Sequence, residues 1–343
     1  MIEIDGSHDE GGGQILRTAA GLSAYTGKGF RIFNIRGKRT KPGIQHQHLE
    51  AVNAVARLCN AELKGNVLNS RELEFIPHEI NEGRINIRIP TAGSAALVLQ
   101  SLMIPALKTT VKIKIEGGAT YGRWAPSMDY LANVLFPMLN KMGYNVAVEK
   151  LKDGFYPKGG ALVEVAIKRS ELKPTNFIER GKLKEIQGIS VASSNLEKAR
   201  VAERQAMSAK KTMFDTFSEY ECNMQALYRD SICPGTGITL WAEFENSRLG
   251  ADALGEPGKK SESVGREAAL ALIKEFNTEA VVDLHAADQL LPYIAIAGKG
   301  RLKTSKITAH VRTNIAIIEK FLDIKFKVSE AQALVECLPF TSR

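Results

Sequence analysis

The pattern of apolar and polar positions predicts a chain in which strands alternate with amphipathic helices. One helix is clearly marked at 308–322, where four apolar residues recur at the spacing of a single helical face. These residues are Val311, Ile315, Ile318 and Leu322. Thr308 is placed to cap this helix, because its hydroxyl can accept a hydrogen bond from an amide of the first turn. Strict alternation over 85–89 predicts a strand instead.

The order strand, helix, strand, helix, strand is predicted three times. The first copy has strands at 2–5, 30–35, around Leu68 and at 72–76, with helices at 14–25 and 43–59. The second has strands at 85–89, 110–115, 144–150 and 161–167, with helices at 93–107 and 126–142. The third has strands at 280–284, 301–307 and 324–328, with helices at 286–297 and 309–322. Such self-similarity indicates stacked copies of one supersecondary unit.

The spacing of the copies is uneven and predicts an inserted domain before the third. The intervening segment has predicted strands at 186–192, 223–228 and 238–244, helices at 195–217 and 261–276, and a glycine-rich loop at 247–263. The sequence thus predicts an α/β (α+β) fold. A large domain, 1–183 with 277–343, holds three βαβαβ-type units around a pseudo-threefold axis, and a smaller α/β domain spans 184–276.

Composition adds a preference for anionic partners. The 343 residues carry a net charge of +8, which favours nucleic acid or nucleotide binding. The sequence begins without a basic or apolar leader and has no apolar stretch long enough to span a bilayer, so we expect no secretory signal and no membrane association. Its four cysteines form no Cys-x-x-Cys pair, which argues against a zinc knuckle and favours a reducing, cytoplasmic location.

His310 is the first candidate for chemistry. It falls in the first turn of the predicted helix, where the positive end of the macrodipole favours a neutral imidazole. A neutral imidazole has a lone pair and can act as a nucleophile. The alternative, that it only packs or binds water, stays open from this stretch alone. If the three units pack around one axis, the loops before the second helix of each unit meet beside His310.

Two further segments are candidates for phosphate binding. The glycine-rich turn at 9–14 could present backbone amides to a phosphate, and Glu10 would then be a natural magnesium ligand; a plain tight turn is the alternative. The basic loop at 36–42 offers arginine forks to phosphate oxygens, unless it is only a solvated charged loop. His46 and His48 do not share a helix face, so a shared zinc site is not expected.

Polar residues near two other predicted helices complete the candidates. His285, Asp288 and Gln289 follow a predicted strand and open a helix, which suits recognition of a nucleotide or its metal. Asp288 could equally serve only as a favourable partner of the helix dipole. Gln100 lies among apolar neighbours and needs hydrogen-bond partners, either local backbone or a ligand.

Taken together, these segments resemble the RNA 3′-terminal phosphate cyclase family. The matching segments are 5–17, 41–49, 154–160 (Gly-Phe-Tyr-Pro-Lys-Gly-Gly), 288–290 and 310–316. They cover nearly the whole chain. The family's fold, three related units with a smaller α/β domain inserted before the third, agrees with the predicted repeat.

The resemblance implies an ATP-dependent ligase-type enzyme of RNA processing. His310 matches the nucleophile that attacks the α-phosphorus of ATP and becomes a covalent histidyl-AMP, releasing pyrophosphate. AMP then passes to the RNA 3′-phosphate, and the 2′-hydroxyl displaces it to close a 2′,3′-cyclic phosphodiester. The implied ligands are ATP as substrate, Mg²⁺ or Mn²⁺, and an RNA with a 3′-phosphate end, with no obligatory protein partner.

The resemblance also implies residue roles. The positions that match nucleotide-binding residues are Gln100, Pro126, His285, Asp288 and Gln289. Those that match phosphate or RNA-end contacts are Arg17, Arg36, Arg39, Gln47 and His48, and Glu10 matches a carboxylate near the metal. The chain departs from the family at His285, where tyrosine is frequent, so adenine stacking is expected to differ.

Two other functions remain to be separated. A non-catalytic relative that acts as an RNA-associated scaffold in ribosome assembly would share the fold but lack the histidine corresponding to His310. An enolpyruvyl transferase has a related architecture without this set of motifs, and needs no covalent nucleotide. The presence of His310 favours the enzyme that forms histidyl-AMP.

Overall fold

A computed structural model describes residues 1–8 and 12–340, which form a mixed α/β protein with four four-stranded sheets. The first sheet contains β1 (Ile2–Asp5), β2 (Phe30–Phe33), β3 (Glu62–Lys64) and β4 (Leu73–Ile76), connected through helices α1 (Gly13–Thr26) and α2 (His46–Cys59). Its strand order is β1-β2-β4-β3, with β1 and β2 parallel and the other pairs antiparallel.

The second sheet repeats this connectivity. Its strands are β5 (Gly83–Ser94), β6 (Val111–Ala119), β7 (Val146–Lys152) and β8 (Leu162–Ile167), in the order β5-β6-β8-β7 and with the same strand senses. Helix α3 (Ala95–Ala106) follows β5. After β6 come α4 (Met128–Tyr130), a π-helical segment (Leu131–Leu135) and α5 (Phe136–Lys141).

The helix predicted at 126–142 is therefore irregular. Pro137 has no N–H for the carbonyl of Asn133 one turn earlier, and this carbonyl accepts a hydrogen bond from Arg248 Nη1 at 2.6 Å. The irregular turn thus provides a contact to the segment that follows the second sheet.

That segment builds a sheet with a core of its own. After β9 (Thr175–Phe177) the chain forms β10 (Leu183–Ser193), a 3₁₀ turn (Ser194–Ala199), α6 (Val201–Phe217), β11 (Cys222–Arg229), β12 (Thr236–Phe244), β13 (Arg248–Leu254) and α7 (Ser261–Phe276). The strand order is β11-β10-β12-β13, and α6 and α7 pack together on it. Ile186, Leu240 and Leu272 belong to an apolar cluster separate from the main core.

The chain then completes the sheet that β9 began. It forms α8 (Leu284–Ile296), β14 (Gly300–Lys303), α9 (Ala309–Phe321), β15 (Ile324–Ser329) and β16 (Leu334–Pro339). The order is β15-β16-β14-β9; β9 and β14 are parallel, and the other pairs are antiparallel. Three of the four described sheets therefore share one connectivity.

The strand predicted at 280–284 is wrong. There the chain makes only an isolated bridge between Val282 and Thr304. Asp283 ends the extended stretch, because its carboxylate accepts the N–H groups of His285 and Ala286, both at 2.9 Å, and so caps α8. The first strand of this sheet is β9, which lies before the separate segment.

Three other predictions need correction, and one strand was missed. The chain around Leu68 is a turn, and the strand is β3 at Glu62–Lys64. The predicted loop 247–263 begins with β13. The helix predicted at 195–217 starts as a 3₁₀ turn and breaks at Arg200, whose φ of 50° is left-handed. Strand β16, which follows a turn after β15, was not predicted.

Helix α1 lies at the centre of the main core and contacts α2, α3 and α9. Gly21 permits the approach to α3, since a Cβ there would lie 2.9 Å from the carbonyl oxygen of Ser101. Among the described residues, no helix combines the length and apolarity needed to cross a membrane. The close packing brings the first turns of α1 and α9 together.

Candidate active site

A cavity of about 720 Å³ lies beside the first turns of α1, α8 and α9. Its volume is within the range usual for small-molecule sites. Seven of the predicted site residues line it: Arg17, Gln100, Pro126, His285, Asp288, Gln289 and His310. The structure therefore brings together residues from five separate segments of the sequence.

His310 lies in the first turn of α9, as predicted. Thr308 caps that helix, and its Oγ1 accepts the N–H of Val311 at 3.2 Å. The ring is exposed at the cavity, and its Nδ1 is hydrogen-bonded to Oε1 of Gln14 from the first turn of α1. The side chain is thus oriented by a residue almost the whole chain away.

The orientation of the Gln14 amide is determined by Asp288. Nε2 of Gln14 donates to Oδ2 of Asp288 at 2.6 Å. An ionised carboxylate only accepts hydrogen bonds, so the amide NH₂ faces Asp288 and the amide oxygen faces His310. In a neutral imidazole this arrangement places the proton on Nδ1 and the in-plane lone pair on Nε2.

Asp288 is partly buried in the cavity wall. Burial raises the pKa of its carboxyl to about 6, while nearby His310 and His285 act in the opposite direction. The carboxyl is therefore ionised at neutral pH, but burial makes its ionised form less stable than it would be in water. Perturbed carboxyls of this kind concentrate at functional sites.

The backbone of Asp288 is fixed as well. Asn314 is buried on α9, and its Nδ2 donates to the carbonyl oxygen of Asp288 at 2.7 Å. That carbonyl has no helical donor at position 292, because Pro292 lacks an N–H. Oδ1 of Asn314 accepts from Thr18 Oγ1 at 3.0 Å, so α1, α8 and α9 are tied together behind the cavity.

Gln100 finds a partner across the cavity wall. Its Nε2 donates to Oε1 of Gln289 at 2.6 Å, and Nε2 of Gln289 donates to the carbonyl of His285 at 2.8 Å. These bonds connect α3 with the first turn of α8. The amide groups form a polar strip beside the exposed ring of His285 and can recognise donors and acceptors of a bound base or ribose.

Positive charge is concentrated around Arg17 and Arg36. Burial lowers the pKa of Arg17 to about 10; Asp288 opposes that shift and Arg36 adds to it. Arg36 is itself partly buried, and burial followed by repulsion from Arg39 lowers its pKa. Side chains of like charge brought together in this way favour the binding of an anion.

His48 lies next to these arginines without carrying charge. Burial, followed by repulsion from Arg17 and Arg36, lowers its pKa to about 3. Its Nδ1 accepts the backbone N–H of Gln45 at 3.2 Å, which leaves the ring proton on Nε2. The ring packs so closely on Gly13 that a Cβ there would overlap it.

Arg36, Arg39, Gln47 and His48 are not part of the cavity lining but border it near the start of α1. A Cβ on Gly12, for example, would lie 3.5 Å from Nη2 of Arg39. The predicted phosphate residues and the predicted nucleotide residues thus occupy adjoining regions, with Arg17 common to both.

The predicted metal ligand, Glu10, lies outside the described residues. Within 1–8 and 12–340, no three His, Cys, Asp or Glu side chains converge on a possible metal position. These residues therefore form no metal cage by themselves. A magnesium ion bound to substrate phosphates needs only one or two carboxylates, and the role of Glu10 stays a prediction.

The structure adds residues that the sequence did not single out. Gln14 and Asn314 lie inside the matching motifs but had no assigned role. The segment from β10 to α7 lines the cavity through Asp252, whose pKa burial raises to about 6. Asp252 accepts the hydroxyl of Thr239 at 2.5 Å within the segment. It also accepts the N–H of Ser127 at 2.9 Å, which ties the segment to the loop before α4.

Comparison with known proteins gives a consistent result. The family model described as RNA 3′-terminal phosphate cyclase matches residues 8–328. A protein named RNA 3′-terminal phosphate cyclase from Methanothermobacter thermautotrophicus is 42% identical over 332 residues, 96% of each chain. Proteins of the same name from Pyrococcus furiosus and Saccharolobus solfataricus are 44% and 45% identical, and the matches cover 96% of this chain and 95% and 96% of theirs.

Proposed function

The chain belongs to the RNA 3′-terminal phosphate cyclase family, and on this basis we propose that it is an enzyme that uses ATP to convert an RNA 3′-terminal phosphate into a 2′,3′-cyclic phosphodiester. The main support for the mechanism is the pair of hydrogen bonds that links Asp288 to Gln14 and Gln14 to His310. It provides an oriented imidazole at the wall of a cavity large enough for a nucleotide.

In the first proposed step, Nε2 of His310 attacks the α-phosphorus of ATP. The N–P bond forms while the bond to the β-phosphate oxygen breaks, so pyrophosphate leaves and AMP stays on the histidine. The attack makes the ring cationic, and its Nδ1–H then donates to Gln14 more strongly. The carboxylate of Asp288 supports this charge through the Gln14 amide.

In the second step, an oxygen of the RNA 3′-phosphate attacks the same phosphorus and the N–P bond breaks. The product is a mixed anhydride between the RNA end and AMP, and His310 is regenerated. In the third step, the neighbouring 2′-hydroxyl loses its proton to solvent and attacks the 3′-phosphorus, while the bond from that phosphorus to the oxygen of AMP breaks. AMP leaves as a good leaving group, and the ring closes.

The adenosine is proposed to bind along the polar strip. Gln100 and Gln289 supply amide groups, Pro126 and His285 supply faces against which a base can pack, and Asp288 lies near the reacting phosphate. A metal ion, Mg²⁺ or Mn²⁺, would neutralise phosphate charge when bound. Glu10 and the substrate phosphates are its proposed ligands.

The arginines are proposed to bind the RNA end. Arg17, Arg36 and Arg39 concentrate positive charge beside the cavity, and a 3′-phosphate would relieve their mutual repulsion. His48 is neutral at physiological pH, so it can donate from Nε2 but adds no charge. Gln47, whose amide nitrogen is 3.5 Å from that atom, would extend the same contact.

We also infer the domain division from the sheets. Three sheets of one connectivity support three repeated units, and the separate sheet and core at 184–276 support an inserted domain. The insertion would then interrupt the third unit after β9 rather than precede it. The four cysteines are free thiols, which supports the proposed cytoplasmic location.

The test is incubation with ATP labelled at the α-phosphate and a divalent metal. Wild-type protein should acquire an acid-labile label that a 3′-phosphorylated RNA discharges, and the variant His310→Ala should acquire none. An RNA-binding scaffold would bind RNA without becoming labelled, and an enolpyruvyl transferase would show neither property. Well-folded wild-type protein that stays unlabelled with each of several metals would overturn the proposal.

A further inference from the structure

Two aromatic side chains, on the loops at 122–126 and 154–160, are unusually exposed. Trp124 exposes 94% of its surface and Tyr156 exposes 71%, the highest values among the aromatic residues that the structure describes. Trp124 also lines the cavity itself. Single exposed apolar residues are ordinary, so the exposure of these two rings has meaning only if their loops lie close together.

The loops that carry these side chains meet at one piece of backbone, residues 91–94, just before α3. A Cβ on Gly122, beside the first loop, would lie 3.7 Å from Cβ of Ser94. A Cβ on Gly159, in the second loop, would lie 2.9 Å from the carbonyl oxygen of Thr91. The two aromatic groups therefore project from neighbouring supports.

The same backbone touches the predicted RNA-end residues. A Cβ on Gly93 would lie 3.4 Å from Cβ of Gln47, which precedes His48 on α2. Residues 91–94 thus adjoin Gln47 as well as the two aromatic loops. We name the part formed by Trp124, Tyr156 and Lys158 the aromatic rim.

The loop that carries Tyr156 is held in place by contacts of its neighbours. In the second loop the N–H of Gly159 donates to the carbonyl of Phe155 at 2.7 Å, and the ring of Phe155 stacks on Tyr121 with centroids 6.2 Å apart. Trp124 has a left-handed backbone with φ of 57°, which is uncommon for a bulky residue. A surface that is already ordered loses little entropy when it binds.

We propose that the aromatic rim binds the unpaired nucleotides that precede the 3′-phosphate of the RNA. Trp124 and Tyr156 stack on bases, and Lys158, which is exposed beside Tyr156, contacts the phosphodiester backbone. Stacking accepts every base, so such an enzyme would recognise a single-stranded end without recognising its sequence. This inference rests on the proposed function, because it assumes an RNA end at the cavity.

Direct binding tests the rim without any catalytic step. The probe is a fluorescent 12-nucleotide RNA with a 3′-phosphate, measured by anisotropy in the absence of ATP, as a single strand and as a blunt duplex. Trp124→Ala and Tyr156→Ala should each weaken binding of the single strand by about 10-fold, within the range known for base–aromatic stacking, and leave the duplex almost unchanged. Phe214→Ala, an exposed aromatic on α6, is the matched control and should change neither.

Tryptophan fluorescence gives an independent reading. The chain has two tryptophans, and Trp241 is only 4% exposed, so acrylamide quenching reports mainly on Trp124. Single-stranded RNA should protect the wild-type protein from quenching, and this protection should be absent in Trp124→Phe, which retains only the buried Trp241.

Three results would overturn the inference. Both alanine variants could bind the single strand as tightly as wild type does, or they could lose affinity equally for the single strand and the duplex. A variant could also show a raised KM for ATP with unchanged RNA binding. The last would place Trp124 over the nucleotide. Self-adenylylation of each variant is measured alongside. If wild type is never labelled, the proposed function fails; if labelling is normal and the rim variants bind RNA like wild type, only the rim fails.

Discussion

Nε2 of Gln14 donates a 2.6 Å hydrogen bond to the carboxylate of Asp288, and this bond turns the amide oxygen of Gln14 toward Nδ1 of His310. The relationship joins α1, α8 and α9 at one point. In the proposed mechanism the three residues have different tasks: Asp288 orients Gln14, Gln14 orients the imidazole, and His310 is the nucleophile. These tasks can be separated by substitution.

Gln14→Ala should slow the formation of histidyl-AMP by about 10- to 100-fold, because the imidazole loses the acceptor that holds its proton on Nδ1. The KM for ATP should change little, since both ends of the Gln14 amide are bonded to protein groups, Asp288 and His310. Single-turnover labelling with ATP measures the rate. Gln225→Ala, an exposed glutamine on β11, is the control, and an unchanged rate in Gln14→Ala would contradict the proposed orientation.

Asp288→Asn should make the protein more stable above pH 6 by about 1–2 kcal/mol. Burial raises the folded-state pKa to about 6 from 3.8, so the folded carboxyl binds its proton more tightly than the unfolded one. The contribution of this carboxyl to the free energy of unfolding of the wild type therefore falls as pH rises from about 4 to about 6, and it is constant above pH 6. Urea unfolding at pH 8 and pH 4.5 checks this, because the gain should shrink at the lower pH.

The same variant should be less active while it is more stable. Asparagine retains the size of Asp288 but lacks the negative charge that supports a cationic imidazole through Gln14. In wild type the rate of self-adenylylation should fall as pH decreases through about 6, where Asp288 becomes protonated. A variant with lower stability at pH 8 and full activity would show that the carboxylate serves another purpose.

Arg39→Ala should impair cyclisation of a 3′-phosphorylated RNA roughly 10- to 100-fold, the effect of losing one charge-assisted hydrogen bond to phosphate. Self-adenylylation should be nearly unaffected, because Arg39 borders the cavity without lining it. The two steps are measured separately, with Arg39→Lys as a partial-rescue control. Equal losses in both steps would place Arg39 on ATP instead.

Gly13→Ala should destabilise the protein by about 1–3 kcal/mol, because the added Cβ would overlap the buried ring of His48. The double variant Gly13→Ala with His48→Ala should recover part of what the two single variants lose together, since removing the ring makes room for the Cβ. Thermal unfolding of the four proteins completes the cycle. Strict additivity would show that the ring moves aside without cost.

The local rules predicted well wherever neighbouring residues decide the structure. Thr308 caps α9, and His310 lies in its first turn, because both depend only on the spacing of nearby residues. The prediction of a strand at 280–284 was wrong because Asp283 caps helix α8. Its replacement, β9, has three residues, too few to show a period, and its partner β14 lies beyond the separate segment.

The site could be predicted only in part, because some of its contacts join residues that are far apart in the sequence. Family motifs identified His310, Asp288 and Arg17, and the structure brings these to one cavity. The role of Gln14 depends on a contact between residues 296 positions apart, which no local pattern contains. The contribution of Asp252 is similar, since it enters the cavity from a sheet with a different core.

Pro292 has a consequence that reaches beyond its own helix. Pro292 offers no N–H to the carbonyl of Asp288, so the side chain of Asn314 donates to that oxygen instead. Pro292 and Asn314 therefore depend on each other through one carbonyl oxygen. If Asn314 is replaced while Pro292 is present, this oxygen loses its side-chain donor and gains no helical one. In a library randomised at both positions and selected for activity, the surviving pairs should therefore be correlated, although the two residues belong to different helices.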